Sequence, residues 1–429
     1  MKRCLFLVLV ILSLSGCNDE PKNKAISITA WHWMTDRGPA LQELAKRYAE
    51  ETGIKVNFEL YAPSDAYSQK VRAAAQGSTL PDIFGVLGEK RVFASFIKAG
   101  HVLNLTPYMD QMPGSWKNRF FSQAIAVNEF SDGNIYAVTP GIYGVPIDIM
   151  IMKMLYNKDL FKKLGLDPGQ PPRTFREFTE IGSKLRAKKM QGMVSGWSEV
   201  WMIDCLANNY AFNIMGKDKV LATIRGDVPY TDPDWIKVLN LFKEMQGSGV
   251  LAEGIVTMVN KTAEQLFATG KAVFAFNGSW CVNVYRGMNP GLNYAVMLPP
   301  RATDRFPMSI WEGAGSSFMV NARSKNKEEA VKFLKWFTDR QQQAYLAEVT
   351  SNLPANKECL GELSPILAQF ADDMELATHP NIWDVSEFPL VTETLDRGIQ
   401  SIIIGEKTPK QVAGEVQKVK EREQAKKRS

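Results

Sequence analysis

The sequence predicts an α/β protein whose mostly parallel sheets are flanked by helices. Three observations carry this. Residues 26–87 alternate strand and helix patterns in βαβαβ order; strongly signalled helices recur at 174–189 and 324–337; and strand-like segments stand between them. Strands separated by helices are joined by crossovers, which makes neighbouring strands parallel and covers the sheet faces with helices.

The first element, "ISITAW" (26–31), is rich in β-formers and runs into the polar loop "HWMTDRG". In "PALQELAKRYAEETG", Leu41, Leu44, Ala45 and Tyr48 share one helical face and Gly53 supplies a stop. "IKVNFEL" (54–60) is a second strand, "YSQKVRAAAQG" a second helix and "PDIFGVL" (81–87) a third strand. "TFREFTEIGSKLRAKK" opens on a capping box, with Thr174 and Glu177 three positions apart, and aligns Phe175, Phe178, Ile181 and Leu185. "SKNKEEAVKFLKWF" places Ala330, Phe333, Leu334 and Phe337 at helical spacing. "TPKQVAGEVQKVKE" has Thr408 as cap and Pro409 at the first helical position. Further strands are expected at 143–157, 271–277, 293–298 and 316–321.

The N-terminus has the layout of a secretory signal: Lys2 and Arg3, an apolar run from Leu5 to Leu12, then small residues. Leu14-Ser15-Gly16-Cys17 resembles the bacterial lipobox, so residues 1–16 read as a lipoprotein signal peptide and Cys17 as the acylated residue. Acyl chains hold a protein at a membrane without a spanning helix, and no later segment approaches the ~18 apolar residues a span needs. This places the mature chain in the cell envelope, on the extracytoplasmic side. About 410 residues follow, enough for two or three domains. The net charge of +5 is small for 429 residues and much of it sits in the tail "QKVKEREQAKKRS", a solvated helix end; no nucleic-acid partner is expected. Cys205, Cys281 and Cys359 are an odd, widely spaced set and make no disulfide framework.

No catalytic constellation is visible, and the protein is read as a non-enzyme. His32, His101 and His379 are far apart with no metal-ligand spacing, and no nucleophile elbow, P-loop or dinucleotide fingerprint occurs. No cofactor and no metal are expected. A carboxylate pair of the glycosidase kind leaves no such trace in composition, so a glycan-degrading enzyme stands as the alternative class. Tryptophans say more. Trp31, Trp33, Trp197, Trp201, Trp280 and Trp311 lie near predicted strand ends beside Gly, Asn, Asp or Glu. Parallel sheets bind ligands beyond their carboxyl ends, and indoles there offer flat apolar faces to sugar rings.

Taken together, "ITAWHW", "YAEETGIKV", "LPDIFGV", "LNLTPYM", "DGNIYAV", "LYNKDLFKKLGL", "PPRTFREF", "FNGSWC", "SKNKEEAVKFLKWF" and "LPANKE" resemble an extracellular solute-binding protein of an ABC importer. The type is the carbohydrate-binding one that includes maltose-binding protein. The resemblance implies a two-lobed periplasmic-binding-protein fold with three hinge crossings, near Val145–Ile149, Pro299–Ser309 and Leu353–Lys357. Lobe 1 would then comprise 17–146 and 300–354, and lobe 2 147–299 and 355–429. It also implies a monomer that holds a di- or oligosaccharide in the cleft and presents it to permease subunits. A polyol or phosphorylated polyol is the alternative ligand. Carried over by local motif, the ligand contacts are Trp33, Asp36, Glu89, Lys90, Asp148, Trp197, Trp201, Asn277, Trp280, Trp311, Glu312 and Gly313. "LANNYAF" departs from the family by placing Asn208-Asn209 where paired glycines are common, which alters the expected cleft floor.

Overall fold

The computed structural model describes residues 26–35, 37–62, 64–87, 90–109, 115–313, 315–383 and 385–428. Cys17 and the signal segment, Asp36 and Glu89 lie outside them. The chain starts as expected: β1 (Ser27–His32), β2 (Lys55–Leu60) and β3 (Ile83–Phe84) alternate with helices Gly38–Thr52 and Ser64–Gln76, and β1 pairs in parallel with both other strands. Gly53 ends the first helix at φ 77°, a left-handed conformation in which a residue without a Cβ is unstrained. A short ribbon, β4 (Glu129–Phe130) with β5 (Gly141–Ile142), precedes β6 (Val145–Pro146) and the ten-residue β7 (Asp148–Asn157).

The second half supplies β8 (Gln191–Val194), β9 (Ala272–Gly278), β10 (Tyr294–Met297), β11 (Ile310–Gly313), β12 (Ser317–Val320), β13 (Leu353–Pro354) and β14 (Ala377–Thr378). Two main sheets result among the described residues. The first has the order β2-β1-β3-β12-β6; the second has β14-β11-β7-β9-β8, with β10 and β13 also on β7. Each sheet carries its own core. Helix Gly38–Thr52 presses Leu41, Leu44 and Tyr48 toward Ile28 and Ala30, and Phe333, Leu334 and Phe337 join them. In the second lobe Phe178, Leu206, Phe242, Ile399, Val412 and Val416 belong to one cluster.

Two expectations are corrected. Both sheets are mixed, not mostly parallel: in the first β12 runs antiparallel to β3 and β6, and in the second β7 runs antiparallel to β9, β10, β11 and β13. β12 and β13 arrive from the other lobe and β9 follows β7 only after β8 and several helices, so none is a direct crossover neighbour that must run parallel. Residues 310–313, expected in lobe 1, form β11 of the second sheet. The chain returns to the first sheet between Gly313 and Ser317, later than Pro299–Ser309. The other transfers fall between β6 and β7 and at β13, which pairs with the Asp148–Ile149 end of β7.

Local signals explain where several helices begin. Thr174 Oγ1 accepts the Glu177 N–H at 3.3 Å and Glu177 returns the bond to the Thr174 N–H at 3.0 Å. Gln411 and Thr408 make the same reciprocal pair before the last helix, Pro409–Arg428. Helix Trp201–Arg225 is different. It is buried over most of its surface and breaks at Gly216, whose φ of 74° and ψ of 164° are non-helical.

Candidate functional site: the interlobe cleft

Trp33 leaves the end of β1 and leans on Tyr67, with ring centroids 5.1 Å apart. Gly85 lies directly beneath the indole, where a Cβ would collide with it. The Tyr67 hydroxyl accepts the Gly85 N–H at 2.7 Å and so fixes the strand end. Lys90 opens helix Lys90–Lys98 after β3. Its amine donates to the Ala126 carbonyl at 2.9 Å and stands 4.9 Å above the Phe130 ring. Burial pulls the amine down to about 8, partly opposed by Glu129.

Opposite, the stretch from His379 to Trp383 comes from the second lobe. Asn381 Oδ1 accepts the Lys90 N–H at 3.2 Å, so the lobes meet at the helix start. Two adjoining cavities open on this contact, and both are lined by Lys90 and Asn381. The smaller, of about 110 Å³, includes Trp33, Val86, Asn128 and Ser317. The larger, of about 380 Å³, includes Tyr136, Trp201, Asp204, Asn208, Tyr230 and Trp383. Larger hollows draw on one lobe alone, such as that of about 520 Å³ between Pro171 and Phe306 in the second.

Aromatic rings and buried acids define the larger cavity. Trp201 is 41 % exposed at the start of its helix and lies 6.0 Å from the Trp280 ring. Trp383 donates its indole N–H to Thr378 Oγ1 at 2.8 Å and packs on Phe212. Asp204 shows one face to the cavity while protein surrounds the rest. It accepts from Asn208 Nδ2 at 2.7 Å, and desolvation raises its carboxyl to about 7. Asp396 stands behind it; burial first, then the neighbouring Asp204, push its carboxyl well up. Glu387 is answered by Lys420 at 2.6 Å and by the Tyr230 hydroxyl at 2.8 Å. Burial, with Lys90 adding, drops His379 to about 3, so it is neutral throughout the physiological range.

Of the residues singled out from sequence, Trp33, Lys90 and Trp201 line these cavities. Others are placed elsewhere. Trp197 is 0 % exposed against Phe242, so it is core and offers no face to a ligand. Asp148 is buried in an ion pair with Arg37 and accepts the Ser316 N–H, which makes it a hinge fastening. Asn277 is 2 % exposed and donates to Glu264 Oε1 at 3.2 Å. Trp280 is half-buried, its indole N–H bonded to the same Glu264 oxygen at 3.0 Å; it backs Trp201 without lining either cavity. Trp311 packs against His379 and Trp383 from within β11, and the backbone of Glu312 and Gly313 pairs there with Ile151 and Met150.

Asp204, Tyr230, Asn381, Trp383, Glu387 and Asp396 were not found from sequence. One signal was present in "HPNIWDVSEFP", where proline, aromatics and acids crowd a stretch between two helices. The Asn208-Asn209 departure did point here, since Asn208 lines the cavity.

Two lobes on separate sheets, joined by several crossings and enclosing a cavity at their junction, define a solute-binding class of protein. Comparison agrees: the profile of the family "Bacterial extracellular solute-binding protein" matches residues 31–344, and the chain belongs to that family. It is 26 % identical over 371 residues to a candidate binding protein of Brucella abortus (strain 2308), covering 83 % of this chain and 82 % of the relative. It is 23 % identical over 341 residues to the multiple sugar-binding protein of Streptococcus mutans serotype c (strain ATCC 700610 / UA159), covering 76 % and 75 %. The solved structure of a chitin oligosaccharide binding protein matches its fold with a TM-score of 0.73 at 24 % identity, over 92 % of this chain and 98 % of that one. Among the described residues no helix is long and apolar enough to cross a membrane.

Proposed function

We propose that this protein captures a saccharide between its lobes and hands it to the permease of an ABC importer. The observation that carries the reading is the cavity of about 380 Å³ that both lobes line, where Tyr136, Trp201 and Trp383 supply ring faces and Asn208, Asn381 and Asp204 supply hydrogen-bonding groups. That is the chemistry of a sugar: C–H faces for aromatic rings and hydroxyls for amides and carboxylates. The Streptococcus mutans relative, named for binding multiple sugars, supports it.

A phosphorylated polyol fits less well, because Lys90 meets a wall that carries Asp204 and Glu387. Hydrolysis also fits poorly. It needs two carboxylates free to flank the scissile bond, whereas Asp396 is buried and Glu387 is held by Lys420 and the Tyr230 hydroxyl. A thermal-shift screen over mono- and oligosaccharides and glycerol phosphate tests the reading, since a ligand of the folded state raises its apparent stability. A saccharide should shift the midpoint and emerge unchanged. A shift with glycerol phosphate alone would replace the reading.

Lipid attachment at Cys17 belongs to the same proposal, with the protein acting as a tethered monomer. Cys17→Ser should release it from membranes with saccharide binding intact, because the polar "NDEPKNK" separates the anchor from β1. Continued acylation of that variant would remove the anchor from the scheme.

A further inference from the structure

The wall of the larger cavity carries an acid that, among the described residues, no cation pairs with. Asp204 faces the space and accepts a hydrogen bond from Asn208 of its own helix. Asp396 is 2 % exposed, and its Oδ1 has no hydrogen-bond partner. Its sequence neighbour Leu395 lines the same cavity, Asp204 pushes its carboxyl up, and its own charge acts on Tyr230 of the lining, which places it next to that wall. Among the described residues no lysine or arginine makes an ion pair with either one.

The other charges nearby are engaged. Lys420 answers Glu387 at 2.6 Å, Arg397 bonds Glu393 at 2.8 Å, and Lys90 donates to a carbonyl with Glu129 beside it. His379 is held neutral by burial and Lys90. Burial keeps a proton on these acids near neutral pH, because ionising both away from water is costly. Aromatic rings stand around the same space, and ring faces attract cations as carboxylates do.

We propose that the cleft selects an amine-bearing saccharide, whose ammonium enters between the aromatic rings and Asp204. The inference rests on the saccharide reading and narrows it. Asp204 ionises to pair with the ammonium and its proton leaves to solvent, so the cavity gains no net charge. A neutral sugar can accept or donate hydrogen bonds there but leaves the buried acids without a counter-ion.

Calorimetric titration decides it, using glucosamine, galactosamine and the glucosamine disaccharide beside their N-acetyl and hydroxyl counterparts. Measurements near neutral pH in two buffers of different ionisation enthalpy count the protons released. At least one amine should bind about tenfold or more tighter than both of its counterparts, with proton release. Asp204→Asn and Asp396→Asn, each checked for folding by thermal unfolding, should abolish the preference and the release. Equal or tighter binding of the neutral sugars, or amine binding without proton release, overturns the amine inference and leaves saccharide capture standing. Absence of binding by every sugar in the panel overturns both.

Discussion

Trp197 and Trp201 stand one helical turn apart in sequence and in opposite surroundings. The first is sealed in the second core, and the second is 41 % exposed on the cavity wall. Truncating a sealed indole removes contacts that nothing refills, so Trp197→Ala should cost ~3–5 kcal/mol in chemical denaturation. Trp201→Ala should change stability by no more than ~1 kcal/mol yet weaken saccharide binding about tenfold, the value of one lost ring face. Equal stability losses in the two variants would show that Trp201 is packing as well. Asp204 gives a pH test. Its folded carboxyl sits at about 7, above its ordinary 3.8, so the folded state holds the proton more tightly. Stability from this group is therefore present below the ordinary value and lost as pH rises through about 7. Asp204→Asn should be more stable than the parent at pH ~8, by on the order of 1–4 kcal/mol, with the gap closing as pH falls toward ~4. A gap that widens on acidification would contradict the assignment.

At the scale of elements, helix Trp201–Arg225 carries the acid wall and depends on its own interruption. At Gly216 the chain turns to φ 74°, with the Phe306 ring 2.7 Å from where a Cβ would sit. Gly216→Ala should lose ~1–3 kcal/mol from strain and crowding together, read by thermal unfolding. Full stability in that variant would mean that the break is incidental. The same helix shows why legibility varied. Helices Gly38–Thr52 and Phe175–Lys188 have one apolar face and explicit caps or stops, so period and capping residues announced them. Helix Trp201–Arg225 is buried on nearly all sides, with Asn208, Asn209 and Asn213 among its buried residues, and has no period to read. Strands β6 and β13 span two residues each and exist because of partners far off in sequence, β12 and β7, and such pairing leaves no local trace.

For the whole molecule, the cleft is where lobes made from distant stretches of chain meet, and that geometry predicts motion. Lys90, Asn381 and the cavity between them join one lobe to the other, while β6, β7 and β13 form the connection. A ligand touching both walls binds the closed arrangement better than the open one and shifts the population toward it. Small-angle scattering should show a smaller radius of gyration at saturating saccharide. An unchanged radius would remove closure from the mechanism. The site was half legible for the same reason. Trp33, Lys90 and Trp201 follow strand ends or begin helices, where family motifs mark position. Asp204, Asp396 and Glu387 become a site because helices Trp201–Arg225 and Pro389–Ile403 pack beside the Glu387 stretch, a fact of tertiary contact.

The interleaving of the strands also sets an order of events for a chain made from its N-terminus. β12, at residues 317–320, stands in the first sheet between β3 and β6. The second core waits for Val412, Ala413 and Val416 in the final helix, and for Lys420 to neutralise Glu387. The first half cannot be completed before β12 and the helices after it are made, well into the last third of the sequence, and the second not before the final helix. Most of the chain therefore exists before either core is closed, and a chain without closed cores is one that can be threaded through a narrow channel.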